Sequence, residues 1–505
     1  MRSKVLDRLA EMLARYKSDP KKRGDPALDP KHVSSTMMIV HDKQNKVKIL
    51  CSKNEGLDQG GSSEDTSFLN SWKKRMELIS RAGTSTVSIR LSPLTDLGTA
   101  SEEDRTSLLD LVVDYQKPRI DYYVQKLGSA FQLKVTKAKN RETDKKPKLS
   151  EEWLQRLPIL TSRCWIDDFG NEFKFKTRAS DDVGEETNVA LSGHSMDVLD
   201  TELNKIFELI GKLFHSNKEP VNTAELAHGQ QSIVKELLPS MFAVWKGARF
   251  QAAIKARLHL RFRGSSNALK RQNETIKALK FLCRIYYSVV TFVEAAETLP
   301  IFQSVEHIPV YIPPTDSVLS YSTAVGERMT LLKTVTALGL RLSGSSWINW
   351  MQNKQCEINF NKLRAEKVHV HAEVQLLIYQ NSLNLSDNEN FSIHPYIGCS
   401  KRCCLLCWLL IRVYGTFSVR GSHETVMHKW EMPTTPLGNA KTTELQSIKG
   451  NLLEIVLLML QDIFDQPFPL RNLELLAQSS AALSTTQTVV DREKAKMEKS
   501  ELTRR

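Results

Sequence analysis

The sequence predicts a chain of mixed α and β class, in which mostly helical N-terminal and middle regions precede a three-layer α/β/α domain. Two patterns carry this expectation. Apolar residues recur at helical spacing almost throughout residues 196–297, and from about residue 367 short β-like runs alternate with helical ones: KVHV, HAEVQLLIYQNSL, FSIHPYIGC, CCLLCWLLIRVYG and TFSVR. A period of 3.6 buries one stripe of a helix, whereas strands alternating with helices build layers with parallel neighbours. Size is a third observation, since 505 residues exceed what one hydrophobic core organises and imply about three units.

Composition narrows the class. Charged residues at 25% and hydrophobic ones at 41% are ordinary for a globular chain, which argues against global disorder and against an integral membrane protein. The opening MRSKVLDRLAEMLARYKSDPKKRGDP interleaves acids and bases, so it reads as a short amphipathic helix and not a signal peptide. LLEIVLLML at 452–460 is interrupted by Glu454 and is too short to cross a bilayer, so no membrane span is expected. Of eight cysteines, Cys51, Cys164, Cys283 and Cys356 are scattered, while Cys399, Cys403, Cys404 and Cys407 are clustered. Clustered thiols without an export signal point to metal binding in a reducing compartment, cytoplasmic or nuclear.

Along the chain, residues 1–195 read as a loop-rich mixed region of short helices and mobile linkers, with polar stretches at 51–67 and 134–148. Residues 104–127 have helical spacing interrupted by Pro118, which predicts a bent or split helix pair. A small hairpin is expected around Gly170. Residues 196–314 form a basic helical region, divided at Gly264-Ser265-Ser266. Between Ser240 and Tyr286 lie eleven basic side chains against one acid, Glu274, so most of the net charge of +12 sits there. With Trp245, Phe250, Phe262, Phe281 and Tyr286 interleaved, residues 240–286 are expected to bind single-stranded nucleic acid; the other reading is a solvated surface over an aromatic core. Pro309, Pro313 and Pro314 mark a boundary near Thr315, followed by a helix at about 321–342. The third unit covers 315–476 and ends on the helix TTELQSIKGNLLEIVLLMLQDIF, and 477–505 reads as a disordered tail.

The chemistry concentrates in the third unit. His371 and Glu373 are two apart, a spacing that does not put side chains on one face of a regular helix, so they converge only at an element's end. KVHV running into EVQLLIYQ supplies that strand-to-helix junction. Cys404 and Cys407, three apart at the start of the next helix, share a face, where thiolates gain from the helix dipole and free N–H groups. One imidazole and two thiolates leave the fourth position of a zinc ion open to water, as catalytic sites do. Zinc lowers the pKa of that water to about 7, and a carboxylate such as Glu373 can shuttle its proton. Cys403 with Cys407 is an alternative metal pair, and Cys399 could approach from the strand end.

An H-x-E motif followed by C-x-x-C after a strand is the signature of the zinc-dependent deaminase superfamily. His371-Ala372-Glu373 and Ser400-Lys401-Arg402-Cys403-Cys404-Leu405-Leu406-Cys407, with FSVRGSH beyond, resemble the OTT-type branch of that cytidine deaminase-like superfamily, which is abundant in fungi. The similarity covers about residues 360–435. It implies that 315–476 is a deaminase-like zinc domain, with Zn2+ on His371, Cys404 and Cys407 and with Glu373 catalytic. The reaction implied is hydrolytic deamination of a cytosine- or adenine-type base in a nucleoside or nucleic acid. One departure is Cys403, which stands where the wider superfamily has proline.

Four further residues are candidates for substrate contact: Ser400, Lys401, Arg420 and His423. Each also has a plainer explanation, as helix cap, solvated charge or turn around Gly421. His369 and His394 read as ordinary core histidines, and Trp408 as part of a buried helix. A catalytically inactive module, stapled by zinc and binding nucleic acid or protein through the basic helices, is the competing function. Redox-active cysteines are a third reading, which leaves HAE unexplained.

Overall fold

The computed structural model describes residues 1–14, 33–54, 56–57, 64–87, 101–130, 173–178, 186–191, 205–206, 208–213, 224–247, 266–313, 330–365, 368–383, 391–427, 429–432 and 442–466. The chain divides into two units, one of residues 1–14, 26–73 and 300–505, the other of 15–25 and 74–299.

The first unit is built on a four-stranded mixed sheet. Its elements are α1 (Arg2–Leu13), β1 (Ser34–His41), β2 (Lys46–Lys53), the start of α2 (Glu64–Val87), β3 (Ser304–Val310), α3 (Leu331–Ala337), α4 (Ser345–Met351), α5 (Lys354–Ala365), β4 (His369–Val370), α6 (Ala372–Ser382), β5 (Ser392–Cys399), α7 (Leu405–Tyr414), β6 (Trp430–Glu431) and α8 (Thr442–Asp465). The strand order is β3-β2-β1-β5, with β1 antiparallel to both neighbours and β2 parallel to β3.

β1 is buried along its whole length, because helices cover both of its faces. Strand alternation sorts its side chains. Ser34 and Thr36 point to α1, where their hydroxyls donate to the carbonyls of Ala10 (2.6 Å) and Leu6 (2.8 Å). Met37 and Ile39 point the other way, into a core shared with Val374, Leu377, Ile397, Leu409 and Leu410. On the α1 side, Gly398 of β5 lies so close to the helix that a Cβ there would meet the Leu6 carbonyl carbon at 2.3 Å. Lys53 and Asp65 form a buried ion pair that joins the end of β2 to the first turn of α2. A smaller cluster, Val335, Trp347, Met351 and Phe464, packs α3 and α4 against the end of α8.

Two expectations are corrected here. Residues 34–53, read as part of a region of short helices and linkers, form an antiparallel hairpin turned through Asp42–Asn45, with Asn45 left-handed at φ 48°. A strand buried on both faces loses the period-two signal, so TMMIV carried no mark of its element type, and β2 alternates only over Lys46–Ile49. The second is the extent of the parallel pairing expected within 367–420, which is smaller than the alternation of strands and helices implies. β5 pairs antiparallel with β1, and among the described residues β4 pairs in parallel with the two residues of β6. Ser418 of TFSVR does bridge Tyr396 of β5 in parallel, through Ile397 N–H to Ser418 O (2.9 Å) and Ser418 N–H to Pro395 O (3.1 Å), without extending into a strand.

The second unit contains three packed helices, Glu102–Ala130, Ala224–Lys246 and Ser266–Thr298. Pro118 does not split the first of them; the helix runs through it. A small hairpin was expected around Gly170; Phe173–Arg178 pairs antiparallel with Glu186–Leu191, and Gly170 itself lies outside the described residues. Tyr123 stacks on Phe281 at 4.9 Å, with Arg119 and Arg284 over the same ring at 5.3 and 5.4 Å. Lys246 sits over Phe242 and Tyr287. Residues 248–265 and the tail 477–505 lie outside the described residues. Among the described residues, no helix is long and apolar enough to cross a membrane.

Candidate metal centre

Two helix starts face each other at the end of the sheet. His371 is the N-cap of α6, with extended backbone at φ −64° and ψ 149°, and Cys404 is the N-cap of α7 at φ −67° and ψ 163°. The Cys404 sulfur accepts from the N–H of Cys407 at 3.4 Å, doing for α7 what a serine or aspartate oxygen does at other helix starts. His371 makes no side-chain cap bond. Asn54, at the end of β2, replaces it: its Oδ1 accepts from Ala372 N–H at 2.9 Å, which leaves the imidazole for other work. Ser52 Oγ donates to Ala372 O at 2.7 Å, so β2 clamps the first residue of α6 on both backbone groups.

This geometry brings four of the eight candidate residues together. His371 Nδ1 lies 3.6 Å from Cys404 Sγ and 3.5 Å from Cys407 Sγ. Tetrahedral zinc, with Zn–S of ~2.3 Å and Zn–N of ~2.0–2.1 Å, separates its nitrogen and sulfur ligands by about 3.5 Å. The trio therefore fits zinc in both donor type and spacing, and all three side chains are buried. Glu373, also buried, places Oε2 at 3.5 Å from Cys407 Sγ. Trp430 Nε1–H donates to the same sulfur at 3.3 Å.

The charges of the site are coupled. The hydrogen bond from the Cys407 thiol pulls Cys404 down to about 4, against the opposing effect of burial and with further help from His371 and the Cys407 N–H. Cys407 is pushed the other way by burial and by the charges of Cys404 and Glu373. Burial disfavours charge on His371, but its contacts with Cys404 and Glu373 outweigh that and raise its pKa. Burial likewise raises Glu373, with His371 opposing. The metal-free cluster thus holds protons that a cation would displace.

Behind the cluster, Gln375 donates to the carbonyls of Lys53 (2.9 Å) and Val370 (2.8 Å) and accepts from Ile312 N–H (3.3 Å), fixing α6 to the ends of β2, β3 and β4. Ser400 sits in a second network at the end of β5. It exchanges backbone and hydroxyl bonds with Ser34, both at 3.0 Å, and accepts at its carbonyl from Arg420 Nη2 at 2.9 Å. Arg420 also pairs with Glu11 of α1 at 2.7 Å, and Glu11 pairs with Arg8 at 2.8 Å. Lys401 follows, partly exposed. His423 is exposed, with Nδ1 accepting from Thr425 N–H at 3.3 Å. Trp408 is half-buried beneath Arg412 at 5.0 Å, and His394 bonds Ser3 at 2.9 Å.

Sequence reasoning missed Asn54, Ser52, Trp430 and Gln375. Only Gln375 left a trace, as a polar residue inside the apolar run EVQLLI. The others come from segments far away in the chain or outside the motifs.

Residues 370–434 match the family model of OTT_1508-like deaminases, a stretch that includes His371, Glu373, Cys404 and Cys407. No curated protein and no solved structure matches the chain. The chain thus carries a deaminase-like segment with a His/Cys/Cys group that can hold a metal ion.

Proposed function

We propose that this chain is a zinc-dependent hydrolytic deaminase acting on a cytosine- or adenine-type base, in single-stranded nucleic acid or a nucleoside. The observation that carries the proposal is the buried meeting of His371 Nδ1, Cys404 Sγ and Cys407 Sγ at zinc-like separations beside the Glu373 carboxyl. Zinc held by these three residues supplies an acidified water. Glu373 is the proton carrier. Its carboxylate takes a proton from the attacking water and returns it to the leaving amine, so that the ring carbon exchanges its C–N bond for C–O and ammonia departs. Burial raises the pKa of Glu373, the direction that suits a group that must both accept and donate near neutrality. Trp430 and the N-cap position hold the sulfurs in place, and Gln375 and Asn54 hold the helix that carries His371 and Glu373.

A polymeric substrate is favoured by the charge of residues 240–286, where Lys246, Lys277 and Lys280 are exposed. Phosphate attraction by such a segment is independent of sequence and strongly screened by salt. Ser400, Lys401, Arg420 and His423 are the proposed contacts to substrate. The test is ammonia release from cytosine- and adenine-containing nucleosides and single strands, by metal-free and zinc-reloaded protein. Release from one base type after reloading supports the reading and names the substrate. A protein that binds zinc and deaminates nothing in the panel would instead be a zinc-stapled binding module.

A further inference from the structure

Beside the first trio lies another group of ligand-type atoms, from Cys399, Cys403 and Glu373, mutually within 4.8 Å and all buried. We infer that these three residues form a second site for a thiophilic cation such as zinc or cadmium, and that filling it silences Glu373. The silencing rests on the deaminase reading; the site itself does not.

The two sulfurs are 3.6 Å apart. Two thiolates on one tetrahedral zinc ion stand about 3.8 Å apart, so binding asks for little movement. The backbone around both is already fixed. Cys399 N–H donates to Asp7 Oδ1 at 3.1 Å; Cys403 N–H donates to Gly421 O at 3.0 Å, and its carbonyl accepts from His423 N–H (2.9 Å) and Ser422 Oγ (3.1 Å). The remaining sulfur contacts are long, 3.5 Å from Cys399 to Ile397 O and 3.9 Å from Ser35 Oγ. A divalent ion there meets two thiolates and a carboxylate, which compensate its charge in a buried setting. Sulfur ligands select zinc, cadmium or monovalent copper over magnesium and calcium, and each bound thiol gives its proton to solvent.

Glu373 joins the two groups. Its carboxyl lies within 4.8 Å of the Cys399 and Cys403 sulfurs, and its Oε2 is 3.5 Å from Cys407 Sγ. A carboxylate held by the second ion cannot carry protons, so metal beyond one equivalent inhibits.

The experiment is a cadmium titration of the metal-free full chain, with bound ions counted by native mass spectrometry and thiolate-to-cadmium absorption followed in parallel. Wild type is expected to bind two ions, and Cys399→Ser/Cys403→Ser and Cys404→Ser/Cys407→Ser one each. Wild type binding a single ion overturns the inference whether or not the variants fold. Stoichiometry that falls only in Cys404→Ser/Cys407→Ser overturns it while leaving the first site intact; a fall only in Cys399→Ser/Cys403→Ser supports it and removes the first site instead. Once a substrate is in hand, ammonia release should drop at least tenfold between one and two zinc equivalents, and an unchanged rate overturns the silencing.

Discussion

The amide of Asn54 reaches from β2 to the first turn of α6 and takes up the N–H of Ala372, work that leaves His371 Nδ1 directed at two sulfurs. Replacing it with alanine strands a buried N–H, a loss of about 1–3 kcal/mol. Asn54→Ala should therefore unfold at lower urea and bind zinc more weakly, and unchanged values of both would remove Asn54 from the site's support. Trp430→Phe keeps most of the packing but removes the N–H donated to Cys407. Loss of such a supporting bond lowers metal affinity by about 10–100-fold, which competition with a chromophoric chelator measures. His394 offers a pH test. Burial, with Arg2 nearby, holds its pKa below the ordinary 6.5, so the folded form disfavours the proton. The unfolded chain then binds more protons, and the stability His394 supports is present above pH 6.5 and lost as pH falls through its lower folded value. His307 is depressed in the same direction, so the measurement compares variants: His394→Gln should show a smaller fall in urea midpoint than wild type between about pH 7.5 and about pH 5.

Among the elements, α1 depends on a glycine it does not contain. Gly398→Ala would drive a Cβ into the Leu6 backbone, and overpacking of this kind costs about 1–3 kcal/mol. Residues 2–13 should then exchange amide hydrogens faster and be cut earlier by protease, while protection equal to wild type would mean that α1 adjusts at no cost. The same helix shows where reading a sequence runs out. Its apolar period was plain, as were those of α7 and α8, because a one-sided helix writes its burial into the spacing of its residues. Its destination was not, since Glu11 finds Arg420 and Asp7 finds Tyr396 across nearly the whole chain, and no local pattern records such pairings. The hairpin of β1 and β2 was hard to see for the opposite reason, since β1 is buried on both faces and so has no alternation, and β2 alternates only over its first half. The candidate metal group was the most legible part, since the three residues chosen from their spacing do meet in the structure. Ligand chemistry demands particular residue types at particular spacings, and His371, Glu373, Cys404 and Cys407 stand out against any background. Their supports, Asn54 and Trp430, answer to geometry alone and could not be picked out in advance.

At the scale of the whole molecule the question is what the positive charge serves. If residues 240–286 bind single strands, affinity should fall steeply with salt, by about 10³-fold or more between 50 and 200 mM if six or more phosphates are neutralised. Lys246→Glu, Lys277→Glu and Lys280→Glu together should flatten that slope. Binding that ignores salt, or a slope unchanged in the triple variant, would assign these lysines to solvation only.

The central claim is that a zinc ion held by His371, Cys404 and Cys407 works with Glu373 as proton carrier. Its most direct test is zinc content and ammonia release side by side in wild type and Glu373→Ala, with the reactive substrate of the panel. The account predicts that the variant retains the zinc of the first site while ammonia release falls by about 10²–10⁴-fold. Zinc absent from the wild type, or ammonia released equally by both proteins, would contradict it.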